Sequence, residues 1–87
     1  MELYYHHRFR KQLGKLSPKL QRKVRLTLDI FEGNPRDSRL RNHALSGRFG
    51  GQRSISVTGD VRIIFEKEDD YEKVILLQVG THSEIYR

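Results

Sequence analysis

Arg53-Ser54-Ile55-Ser56-Val57-Thr58-Gly59-Asp60-Val61-Arg62-Ile63-Ile64-Phe65-Glu66 is the stretch on which the fold turns. Ile55 and Val57 alternate with Ser54 and Ser56; Val61, Ile63 and Phe65 alternate with Arg62, Ile64 and Glu66. A period of two belongs to a strand with one buried face. Thr58-Gly59-Asp60 between the runs has turn chemistry, so the pair predicts an antiparallel hairpin. Asp69-Asp70 predicts a second turn, and Val74 to Val79 a third strand. That strand is so nearly all apolar that both its faces are expected to be covered. If Val61, Ile63 and Phe65 point to the core, Arg62 points away from it, as do Ser54 and Ser56 if Ile55 and Val57 point in.

Upstream of this stretch the period is helical. Phe9, Leu13 and Leu16 form one apolar stripe from His6 onward, and Gly14 weakens the helix near its end. Ser17-Pro18 is a hydroxyl N-cap followed by proline at the first helical position. Leu20, Val24, Leu28 and Phe31 make the second stripe, leaving Lys19, Arg22, Lys23 and Arg25 on a solvated basic face. Gly33-Asn34-Pro35 stops this helix; glycine is expected to take the left-handed cap, and proline forbids continuation. Glu2 to Tyr5 is short enough to be a first strand. Arg36 to Gly51 reads as a loop carrying Arg36, Arg39, Arg41 and Arg48. Helices followed by strands predict an α+β fold, with an N-terminal strand and a helical hairpin packed on an antiparallel sheet whose other face stays open.

The 87 residues suit one domain, 1–87. There is no cysteine, which excludes disulfides and thiolate metal sites and fits a reducing cytosol. No apolar run approaches the roughly 20 residues that cross a bilayer, and Met1 to Lys11 does not have the pattern of a signal peptide. The net charge is +6, but five of the eleven acids lie between Glu66 and Glu72, the expected tip of a hairpin. Outside that segment sixteen basic residues face six acidic ones, a net of +10. Such a field suits a polyanion, although many small domains are basic for solubility alone.

Four segments together resemble a known family: Leu40-Arg41-Asn42-His43-Ala44-Leu45-Ser46-Gly47; Gly51-Gln52-Arg53; Gly59-Asp60-Val61-Arg62-Ile63-Ile64-Phe65; and Val79-Gly80-Thr81-His82-Ser83-Glu84-Ile85-Tyr86. Their order and spacing resemble the RelE/ParE toxins, most closely the YafQ-like mRNA interferases. The resemblance implies the toxin component of a type II toxin-antitoxin system, a cytoplasmic ribosome-dependent endoribonuclease that cuts mRNA and blocks translation. It implies a cognate antitoxin, the ribosome and mRNA as partners, with a monomer when free and a hetero-oligomer with antitoxin. Carried over position by position, it implies a catalytic set of His43, Asp60, Arg62, His82 and Tyr86. The expected RNA- and ribosome-binding residues are Lys19, Arg22, Lys23, Arg36, Arg39, Arg41 and Arg53. No cofactor and no metal is expected. The branch carries an aspartate and a histidine where this chain has Ser54 and Ser56, which implies a smaller proton-transfer set and leaves a reduced activity open.

The chemistry of these residue types fits RNA cleavage. RNA carries its own nucleophile, the 2′-hydroxyl. A base must remove its proton, an acid must protonate the leaving 5′-oxygen, and a cation must stabilise the phosphoryl oxygens. Histidine suits the first two tasks because its ordinary pKa is near 6.5. Arginine suits the third through its fixed fork of donors. An aromatic such as Tyr86 can stack on a base. Two other readings remain on the same scaffold: a ParE-like gyrase poison, and a catalytically weakened relative kept as a binding or regulatory partner. His6 and His7 belong to no motif and are expected on the surface.

Overall fold

The computed structural model describes every residue, Met1–Arg87. The elements are β1 (Glu2–Tyr5), α1 (His7–Gly14), α2 (Pro18–Gly33), β2 (His43–Ala44), β3 (Arg53–Ser56), β4 (Val61–Glu68), β5 (Lys73–Thr81) and α3 (His82–Ile85). The strands form one sheet in the order β1-β5-β4-β3-β2. All neighbours are antiparallel except β1, which runs parallel to β5. The α+β fold expected from the sequence is the one observed.

Local chemistry sets the helix ends. The Ser17 hydroxyl accepts from the Leu20 amide at 3.2 Å, and Pro18 follows it as expected. His6, expected only as a surface residue, caps α1: its Nδ1 accepts from the Arg8 amide at 3.0 Å. At the end of α2, Gly33 does not take a left-handed cap. It stays helical, and Asn34 leaves the helix in an extended conformation, φ −160°. Pro35 explains this, because the residue before a proline is pushed out of the helical region.

The core lies between the helices and one face of the sheet. Phe9, Val24 and Phe31 pack with Ile55, Ile63, Phe65, Leu76 and Val79, all buried. Phe31 meets Phe65 edge-on at 5.0 Å and Tyr71 at 5.9 Å. The strand alternation is as expected, with Val61, Ile63 and Phe65 facing the helices.

Three expectations are corrected. Arg36 to Gly51 is not simply a loop: it holds two single 3₁₀ turns, Ser38–Leu40 and Gly47–Phe49, and the edge strand β2. A two-residue strand has no alternation to read. β5 is not buried on both faces: Ile75 and Leu77 are only half-buried. A bulge between Ile64 and Phe65 of β4 leaves Leu77 of β5 unpaired and shifts the alternation there. The face away from α1 and α2 is not bare, because Ser54 and Ile64 on it are fully buried and α3 packs against β5. No helix is long and apolar enough to cross a membrane.

Candidate functional site

The register sorts the expected residues on the face opposite the two long helices. His43, Ser54, Ile64 and Gln78 lie in one cross-strand row. Ser56, Arg62 and Gly80 lie in the next. Beyond Val61 and its partner Thr81, the His82 amide donates to the Asp60 carbonyl at 3.1 Å. Asp60, Arg62 and His82 therefore share one end of the β4–β5 pair. His43 does not join them, since β2 is three strand spacings from β5, roughly 14 Å.

His82 is held from both sides. Thr81 and Glu84 form a reciprocal capping box: the Thr81 hydroxyl accepts from the Glu84 amide at 3.1 Å, and Glu84 Oε1 accepts from the Thr81 amide at 2.8 Å. That backbone N–H holds the Glu84 carboxyl below its ordinary range. The exposed His82 ring lies 4.5 Å from the Tyr86 ring, and Tyr86 meets Phe49 edge-on at 5.0 Å. Arg48 stacks on Phe49 at 5.0 Å and donates to the Arg87 carbonyl at 2.8 Å. The Gly47–Phe49 turn thus clasps the C-terminal segment. Sequence reading missed Phe49, an isolated aromatic among glycines with no periodic partner.

Arg62 folds back on the hairpin turn and donates to the Thr58 carbonyl at 2.8 Å. With Arg39, Arg41, Ser56, Thr58 and Gly59 it lines a pocket of about 230 Å³. Three guanidinium groups thus border one small cavity. Ser56 lies beside Arg62 across the β3–β4 pair. Ser54 is 1% exposed and out of substrate reach. His43 is exposed, and its Nδ1 lies 2.8 Å from the Arg41 carbonyl. A carbonyl only accepts, so Nδ1 is the donor in this contact and Nε2 is the nitrogen turned to other partners.

The remaining expected residues lie elsewhere. Lys19, Arg22 and Lys23 are exposed on α2, on the helix side of the sheet. Arg53 alternates to that side with Ile55, and its Nε donates to Asn42 Oδ1 at 2.8 Å. Arg36 pairs with Asp70 at 2.6 Å. No three His, Asp or Glu side chains gather closely enough to hold a metal ion.

Solved structures share this architecture. YafQ from E. coli strain BL21(DE3) matches with a TM-score of 0.82 and 21% identity, over 99% of this chain and 98% of that one. The conserved hypothetical protein HP0894 from Helicobacter pylori matches with a TM-score of 0.74 and 29% identity, over 98% of each. The E. coli DinJ-YafQ toxin-antitoxin complex matches with a TM-score of 0.76 and 24% identity, over 99% of this chain and 97% of that one. No curated protein matches the sequence. The fold is thus that of RelE-like toxins. The family model described as "Bacterial toxin of type II toxin-antitoxin system, YafQ" matches residues 1–87, and the chain belongs to that family.

Proposed function

We propose that this toxin is an endoribonuclease that cuts mRNA on the ribosome in the cytoplasm and is neutralised by a cognate antitoxin. The observation that carries this reading is the meeting of Asp60, Arg62 and His82 at one end of the β4–β5 pair, beside a pocket lined by three arginines. In this reading Asp60 accepts the proton of the 2′-hydroxyl and the 2′-oxygen attacks phosphorus. His82 protonates the departing 5′-oxygen, leaving a 2′,3′-cyclic phosphate and a 5′-hydroxyl. Arg62, with Arg39 and Arg41, stabilises the phosphoryl oxygens. Tyr86, set by Phe49 and beside His82, stacks on a base. His43, across the sheet, contacts the flanking nucleotide. Its distance from His82 across the sheet separates it from the reacting phosphate.

His82→Ala separates catalysis from binding. It should lower cleavage of ribosome-bound mRNA by at least about 100-fold, the low end for lost acid–base catalysis. Ribosome binding should change little, because many cations share it. Arg62→Ala should weaken both. A thermal melt must show each variant folded. A folded His82→Ala that cuts at the wild-type rate rejects the assignment. If pulse labelling after expression shows DNA synthesis stopping before protein synthesis, the target is gyrase and not mRNA.

A further inference from the structure

We propose that a second pocket, on the helix side of the sheet, binds a phosphate of the same RNA chain through Arg53, Lys67 and Tyr71. This rests on the ribonuclease reading and extends it to a site with no part in the chemistry. The pocket measures about 420 Å³, and its lining also includes Arg36 and Asp37.

Its polar groups are donors in excess. Asp37 is the only acid lining it, and that carboxylate is already engaged by Arg39 through Nε at 3.0 Å and a terminal nitrogen at 2.8 Å. Asn42 is fully committed. Its Nδ2 donates to the Pro35 carbonyl and to Tyr71 Oη, each at 2.9 Å, while its Oδ1 accepts from Arg53. The terminal nitrogens of Arg53 therefore stay free. Tyr71 Oη accepts from Asn42, so its own O–H is a donor in search of an acceptor. Arg41 and Lys67 form no ion pair. Tyr71 is held here at some cost: its φ is +74°, a conformation rare for an aromatic residue. The Arg36 guanidinium lies 5.1 Å and the Lys67 ammonium 4.8 Å from the centre of its ring.

An anion is what such a pocket lacks, and its chemistry favours phosphate over an acidic peptide. Tyr71 is the only apolar residue in the lining, so a peptide would find no apolar anchor of the kind that carries protein interfaces. Phosphate recognition needs only donors and charge. Arg41 lines both this pocket and the one around Arg62. An RNA backbone can thus pass from the reacting face around the β2 edge and stay in contact with guanidinium groups.

The test is titration of the intact protein with inorganic phosphate and, separately, with a short single-stranded RNA, followed by NMR at Arg53 Nε–H and the Tyr71 ring. Both ligands should shift these signals. Lys67→Met and Tyr71→Phe, each shown folded by a melt, should weaken RNA binding about tenfold, the size of one charge-assisted hydrogen bond. For Lys67→Met the slope of log affinity against log salt should fall by about 0.7, one phosphate contact on a single strand. A shift with phosphate but none with RNA, or with polyglutamate but not RNA, overturns the proposal. Normal mRNA cleavage without any shift sinks this pocket alone. RNA binding at the pocket by a protein that cuts nothing leaves it standing and sinks the ribonuclease reading.

Discussion

At Gly80 a Cβ would lie 3.2 Å from Glu84 Oε1 and 3.6 Å from Glu84 Cβ. That oxygen is the one that accepts from the Thr81 amide. Gly80 has an ordinary φ, so the backbone conformation does not require glycine there. Glycine serves here as space for the carboxylate that caps α3. Gly80→Ala should displace Glu84, cost about 1 kcal/mol, the usual value of a helix cap, and leave His82 less ordered; a thermal melt and the exchange rate of the Thr81 amide check both. The cap also sets a pH dependence. The folded Glu84 carboxyl titrates below its unfolded value, chiefly through the Thr81 N–H, so its contribution is full above the ordinary carboxylate range. It is lost as pH falls through the depressed folded value. The protection of the His82–Tyr86 amides, relative to their intrinsic exchange rates, should therefore fall in acid, and Glu84→Gln should flatten that dependence.

Among the elements, the junction of β1 with α1 is the least expected. β1 pairs with β5 only as far as Tyr5 and Leu76, after which the chain turns into α1. The edge of β5 is then completed by a side chain: the Val79 amide donates to Gln12 Oε1 at 2.9 Å. Gln12 thus anchors α1 to the strand that leads into His82. Gln12→Leu keeps the bulk and helix propensity but leaves the Val79 amide without its partner. The expected loss is about 1–3 kcal/mol, a large share of the roughly 5–15 kcal/mol of a small domain. Chemical denaturation should show it; an unchanged midpoint would mean that water replaces the bond.

Across the whole molecule the charge is divided. The segment Glu66 to Glu72, the end of β4 and the turn after it, carries five acids, while the rest holds a net of +10. Part of the acidic turn is neutralised locally, with Asp70 paired to Arg36 and Glu68 near Lys73 at 3.8 Å. A cognate antitoxin that binds this surface through an acidic segment should be steered to the basic remainder. Its association rate should fall as salt rises while the dissociation rate changes less, because long-range steering is screened first. Stopped-flow mixing at several ionic strengths measures this; a salt-independent association rate would reject electrostatic steering.

Much of this architecture was legible in the sequence because local signals agreed with the tertiary outcome. Ser17-Pro18 starts α2, the period of two gives β3 and β4, and the apolar run gives β5. Alternation alone put Arg62 on the face opposite the helices, because successive side chains on a strand cannot share a side. The tertiary structure decided what depends on neighbours distant in the chain. Strand β2 exists only through its pairing with β3, and His43 stands apart from His82 because β3 and β4 lie between them. Arg53 belongs to the helix side because alternation runs through Ile55, while its neighbours Lys67, near the end of β4, and Tyr71, in the turn after it, come from a segment that the sequence shows only as acidic. Phe49 meets Tyr86 across 37 residues that no periodicity links. Sequence period reports which face a residue takes; which residues share a pocket follows from register and strand order, and those are set by long-range packing.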